Sequence, residues 1–270
     1  MAHVTTVALR PQRHSRIYWL LRDTQILSLR SLKHIKREPD QLAGAVFQPI
    51  LLIVMFNFLF GGAINTGSHE SYINFVIAGI FIENAVLTAI TASTSTATDM
   101  LTGVIDRFRT LPMHKSAILT GHVVSTLFSV LVGTAVMIGA GFIFGFRPHA
   151  DFASWLAAIG LTALVTFGLS WVAVLIGLIG KSVEAVQQFG MILILPIIVS
   201  SAFVPTQTMP KWLQVFANNQ PITQAIDAVR ALLLGQPVGD HVRLTLIWFV
   251  GIIVVAYIAA SVLFRRRTAD

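Results

Sequence analysis

The residues of this chain that could do chemical or mechanical work fall at a few places. One is the stretch 99–115, Asp-Met-Leu-Thr-Gly-Val-Ile-Asp-Arg-Phe-Arg-Thr-Leu-Pro-Met-His-Lys. It is a charged island between two long apolar segments. Asp99, Asp106, Arg107, Arg109 and Lys115 enter hydrocarbon only at high cost. Leu101, Ile105 and Phe108 recur at helical spacing, so a short amphipathic helix is expected. Leu111-Pro112 should end it, because the residue before a proline resists the helical region. Two readings are open. The helix lies on the cytoplasmic surface and receives a push from a separate protein. Alternatively, it is a plain connector whose cations follow the Lys/Arg bias of cytoplasmic loops.

A second place is Glu83-Asn84, near the middle of an apolar run, with Asn57 in the run before it. An acid at that depth usually faces the bundle interior or a wet cavity. Here it either meets a transported group or is satisfied by a neighbour such as Asn84 or Asn57. A lone acid without a relay is weak support for proton coupling. Gln187 and Gln188 lie close to Glu184 and Lys181 in a later run. Gly180-Lys181-Ser182 matches the last positions of a phosphate-binding loop, but the glycine required five residues earlier is Leu175. The tripeptide also ends an apolar run instead of following a buried strand, so the match is rejected. None of the eight histidines pairs with another at ligand spacing, and no hydrolase constellation is visible.

The elements that must position these residues are membrane elements. The chain is 55% hydrophobic and 11% charged, against about 25% charged in a soluble domain. Mean hydropathy is +0.76. The net charge of +7 sits at membrane-flanking positions, which argues against nucleic-acid binding. There is no cysteine, hence no disulfide or thiolate site. No cleavable signal peptide is expected, because the first apolar run begins only after Pro39. Six apolar segments near the ~20 residues of a span are predicted at 42–64, 72–97, 117–146, 153–180, 183–204 and 244–264. Eight, three, one and three of the 19 Lys and Arg then lie on one side; none, one and three lie on the other. That bias places both termini in the cytoplasm.

Before the first span, residues 15–37 set Ile17, Leu20, Leu21, Leu27, Leu32 and Ile35 on one helical face. Arg22, Asp23, Arg30, Lys33 and Arg37 fall on the other, the pattern of a helix lying in the membrane interface. Trp19 and Ile26 fall on the charged side, as partner contacts or as scattered surface residues. Segment 205–242 is too long for a connector and has helical periodicity. Pro210 suits a first turn, followed by Trp212, Leu213, Val215 and Phe216. Asn218-Asn219-Gln220-Pro221 marks a break. A second helix over 222–234 puts Ile222, Ile226, Val229 and Leu233 on one stripe, ends at Gly235, and spaces Asp227 and Arg230 to pair. The two form either a re-entrant hairpin entering the outer leaflet or a pair lying flat on it. Gly141 and Gly145 make a small-xxx-small pattern, and Pro49 and Pro196 are candidate kinks. No internal repeat is seen, which weakens a secondary-transporter reading.

Two stretches carry a resemblance. One is Gly103-Val-Ile-Asp-Arg-Phe-Arg-Thr-Leu-Pro-Met113. The other runs from Phe203-Val-Pro through Met209-Pro-Lys-Trp and Asn219-Gln-Pro-Ile-Thr to Ala228-Val-Arg-Ala-Leu-Leu-Leu-Gly235. The chain resembles the ABC-2 type permeases, in particular the daunorubicin-resistance-like membrane subunits of bacterial ABC exporters. The resemblance implies an all-α membrane protein with six transmembrane helices, an interfacial helix within 1–38, and a six-helix domain over 39–270. It implies a bacterial inner-membrane subunit that is not itself an enzyme. ATP and Mg would be held by a separate ABC ATPase, which pushes the coupling segment 98–115 through Asp106, Arg107, Phe108, Arg109, Leu111 and Pro112. Trp19, Arg22, Arg30 and Lys33 of the interfacial helix would move with it. A second permease copy or a similar chain is expected as partner, along with membrane lipids. By the same resemblance an amphipathic drug, antibiotic or envelope lipid leaves along spans one, two and five, with Asn57, Glu83, Asn84 and Phe203 as path candidates. The hairpin with Pro210, Trp212, Pro221 and Arg230 gates it. The runner-up is a membrane binding or sensory module working without an ATPase.

Overall fold

The computed structural model describes residues 39–61, 71–102 and 117–267. Every regular element among them is helical. Helix α1 (Pro39–Met55) runs into a five-residue π turn, Phe56–Phe60. Then come α2 (Tyr72–Leu101), α3 (Ala117–Ile143) and α4 (Phe152–Ile179). After these the elements shorten: α5 (Val183–Gly190), a 3-10 turn (Met191–Ile194) and α6 (Leu195–Ile198). Helices α7 (Lys211–Asn219), α8 (Pro221–Leu234) and α9 (His241–Arg267) complete the order.

Four helices among the described residues are long and apolar enough to cross a membrane: Tyr72–Leu101, Leu119–Ile143, Phe152–Ile179 and His241–Phe264. They coincide with four of the six predicted spans. The other two segments hold shorter apolar helices, Phe47–Phe60 and Val183–Ile198. Helix α2 is the axis of the bundle. It touches α1, α3, α4, α5 and α8, and its Ile73, Ile77, Ile80 and Ile82 are wholly or almost wholly buried. Such a helix, apolar on most sides, is stable only when enclosed. Its crossing with α4 is tight, because a Cβ on Gly177 would come within 2.6 Å of the Ser93 carbonyl oxygen. Helix α4 starts where Asp151 accepts a bond from the Ser154 amide at 2.8 Å. That bond holds the Asp151 carboxyl below the usual carboxylate range. Thr162, Thr166 and Ser170 are buried along α4, each hydroxyl donating to the carbonyl one turn back. A second apolar cluster ties α3, α4 and α9 through Leu119, Trp171 and Phe264, with Trp171 edge-on to Tyr257 at 4.9 Å.

The predicted fifth span, 183–204, is not one helix. It breaks after Gly190 into a 3-10 turn and a four-residue helix bearing Pro196, and residues 199–204 are turns. The predicted third span ends three residues early, at Ile143. Gly145 therefore lies beyond the helix, at φ 98°, and the small-xxx-small pattern is not a helix stripe. Gly141 alone serves close packing, its missing Cβ leaving room for Ile77 of α2. The interfacial-helix residues Trp19, Arg22, Arg30 and Lys33 and the coupling residues Asp106, Arg107, Phe108, Arg109, Leu111 and Pro112 lie outside the described residues.

Candidate functional site

The broken segment after α5 leaves backbone carbonyls without helical partners inside an apolar bundle, where each orphan is costly. Side chains of α8 and its approach supply the missing donors. Gln220 Nε2 donates to the carbonyls of Pro196 (2.8 Å) and Val199. Arg230 Nη2 donates to Ser201 O at 2.5 Å, and its Nε to Phe75 O of α2 at 2.9 Å. Its Nη1 meets Asp227 Oδ1 at 2.6 Å, and the guanidinium lies 3.9 Å from the centroid of the Phe75 ring. Asp227 Oδ1 also accepts from the Ser201 hydroxyl at 2.6 Å. Tyr72, at the start of α2, donates its hydroxyl to Phe203 O at 2.7 Å. One polar network thus pins turn 199–204 to α2 and α8. The turn also presses on α2 at Gly79, where a Cβ would meet Ala202 O at 2.5 Å.

The two short helices predicted within 205–242 form. Pro210 precedes α7, Gln220 is extended, Pro221 opens α8, and Gly235 ends it at φ 64°. Ile222, Ile226, Val229 and Leu233 are buried. Arg230, 8% exposed, is also buried, although the pattern sets it off that stripe. Trp212, Val215 and Phe216 are exposed on α7.

The four candidate path residues fall at two levels. Phe203 stacks on Phe56 at 4.4 Å with planes 3° apart, which brings it beside the π turn that carries Asn57. Glu83 and Asn84 sit eleven and twelve residues after Tyr72 on α2, so about 16–18 Å further along the bundle. Glu83 Oε2 and Asn84 Nδ2 are buried and have no hydrogen-bond partner. The Asn84 amide lies against Gly133 of α3, where a Cβ would approach Nδ2 to 2.8 Å. Asn57 and Asn84 are therefore not partners for Glu83, contrary to one expectation.

Sequence reasoning missed what continues from Asn84. Positions 84, 88, 91, 95, 98 and 102 follow the four-and-three spacing of one helical stripe, and carry Asn, Thr, Thr, Ser, Thr and Thr. Thr91, Ser95, Thr98 and Thr102 are exposed, whereas the hydroxyl stripe of α4 is buried. Thr88, Thr91, Thr98 and Thr102 each donate to the carbonyl one turn back. The signal was the spacing itself, hidden because threonine scores as neither charged nor strongly polar. At the foot of the stripe Asp99 Oδ2 meets His122 Nε2 of α3 at 3.0 Å. That contact joins the two helices that flank residues 103–116 in the sequence.

Among the described residues the arrangement is a polar stripe on a helix long and apolar enough to cross a membrane, with a pinned turn against that helix's other end. Comparison with known proteins identifies the family. Residues 22–234 match the family described as ABC-2 type transporter. The chain is 31% identical over 241 residues to the daunorubicin resistance ABC transporter permease protein DrrB1 of Streptomyces coeruleorubidus, covering 89% of this chain and 85% of that one. It is 27% identical over 249 residues to the probable doxorubicin resistance ABC transporter permease protein DrrC of Mycobacterium tuberculosis, covering 91% and 89%. It is 27% identical over 218 residues to the putative transport permease ycf38 of Pyropia yezoensis, covering 79% and 74%. The chain belongs to the ABC-2 type transporter family, as a membrane-spanning permease that is not itself an enzyme and works with an ABC ATPase subunit.

Proposed function

We propose that this permease exports an amphipathic molecule, a drug, antibiotic or envelope lipid, from the cytoplasm or inner leaflet. The permeases DrrB1 and DrrC named above belong, by their names, to daunorubicin and doxorubicin resistance. ATP and Mg sit on the ATPase chain, and two permease copies, or this chain with a similar one, enclose the path. Phe47–Phe60 and Val183–Ile198 complete six crossings, the short helices α7 and α8 enter the outer leaflet as a hairpin, and both termini lie in the cytoplasm.

The observation that carries this reading is the stripe on α2. Glu83 Oε2 and Asn84 Nδ2 are orphaned inside a helix that crosses the membrane, with exposed hydroxyls leading toward Thr102. Both atoms are closed off from the surface, so they head the stripe without lying on its open part. The exposed hydroxyls of Thr91, Ser95, Thr98 and Thr102 suit a wet path shared with another chain, along which a substrate's polar groups exchange water for hydroxyls. The test is export by inverted vesicles containing the permease and its ATPase. Thr91→Trp and Thr98→Trp fill the track without touching the buried face of α2. Each should abolish export while ATP hydrolysis continues. Export at the wild-type rate in both variants would remove the stripe from the path.

A further inference from the structure

Apart from the stripe, the structure holds a groove of about 850 Å³ between α4, the end of α8 and the start of α9. Gly160 lies in its floor, where a Cβ would meet nothing within 4 Å. Leu164, Leu232, Val242 and Leu246 form its walls. The only charged side chain in the lining is Arg243, in the first turn of α9. Arg243 meets Asp240 at 3.5 Å, and the two side chains are 72% and 71% exposed.

We infer that this groove binds one membrane phospholipid with a zwitterionic headgroup, of the phosphatidylethanolamine type. Three observations converge. The groove is cut into two helices that each cross a membrane, so hydrocarbon and not water is its ordinary neighbour. Its depth fits one leaflet. Its lining on α4 runs from Ala157 to Leu164, seven residues or about 10 Å, within the about 15 Å of half the hydrocarbon core. Arg243 lines the groove at the start of α9, and Asp240, next to the lining residue Gly239, pairs with it from just outside the lining. The phosphate faces the Arg243 guanidinium, and the ammonium faces the Asp240 carboxylate. An exposed pair at 3.5 Å is worth little by itself, so it reorganises around a headgroup at small cost.

The test is native mass spectrometry of the full chain in mild detergent, titrated with phosphatidylethanolamine and with phosphatidylglycerol of the same acyl composition. The wild type should hold one phosphatidylethanolamine more tightly than the rest. Gly160→Phe fills the floor and should lose that molecule. Gly251→Phe, on α9 outside the lining and equally free of contacts, should keep it. Arg243→Gln and Asp240→Asn should each weaken retention about fivefold, the worth of roughly one interfacial charge. Neither fold nor charge balance elsewhere is touched by these last two, so they remain informative if Gly160→Phe fails to fold. Equal retention in Gly160→Phe and Gly251→Phe would overturn the groove as the site. Equal affinity for both lipids, unaltered in the two charge variants, would overturn the headgroup assignment. Loss of a permease dimer in Gly160→Phe with lipid retention unchanged would assign the groove to a second copy instead.

Discussion

Replacing Arg230 by methionine tests how the hairpin is held. The change keeps most of the side-chain volume and removes every polar contact. Phe75 O and Ser201 O lose their donors, and Asp227 keeps only the Ser201 hydroxyl. Breaking a buried pair from one side costs about 3–5 kcal/mol. The Asp227 side chain is 25% exposed, so water recovers part of its loss and the lower end, about 3 kcal/mol, is expected. For a chain of this size that lowers the unfolding midpoint by roughly 6–12 °C. Arg230→Lys should fall between, because an ammonium keeps the charge but cannot reach Phe75 O, Ser201 O and Asp227 together as the guanidinium fork does. The assay is thermal unfolding in detergent, followed by fluorescence size-exclusion. A methionine variant within about 0.5 kcal/mol of wild type would refute the reasoning, since the pinned turn would then owe its place to something else.

Removing Asp106, Arg107 and Arg109 together should leave the protein inserted but uncouple transport from ATP hydrolysis, read as substrate exported per ATP consumed. Gly177→Val would push a side chain into the Ser93 carbonyl, and should destabilise by about 3 kcal/mol or more because backbone cannot yield there; unfolding in detergent checks it. Asp151 caps the start of α4 more strongly when ionised. Its folded value is depressed, so its advantage over Asp151→Asn is present above the ordinary carboxylate value and lost as pH falls through the depressed one. Unfolding midpoints at neutral pH and near about pH 3 should differ in that gap.

How much could be read beforehand depended on the range of the forces involved. The hairpin was legible because its signals are local: Gln220-Pro221 breaks, Gly235 terminates, and Asp227 pairs with Arg230 three residues on. Four long spans were legible because hydropathy over twenty residues integrates the burial that makes them. The breakage of 183–204 was not. Its carbonyls are satisfied by Gln220 and Arg230, 21 to 29 residues later in the chain, and no window of hydropathy registers a distant donor. Asn57, Glu83, Asn84 and Phe203 were chosen by their position in the spans that the resemblance assigns to the path. Such an assignment does not resolve level, so the structure separates them into two sites. The α2 stripe was present as spacing but went unread, since threonine is tolerated in lipid when it bonds its own helix.

The central claim is that force enters this permease from the cytoplasm through the segment around Arg107 and opens a path it does not itself power. The chain has no cysteine, so a single Arg107→Cys variant reports without background. Labelled with a membrane-impermeant maleimide, it should react in inverted vesicles, be protected when the ATPase is bound, and stay unlabelled in intact cells. Labelling in intact cells would place the segment on the outer face and contradict the account.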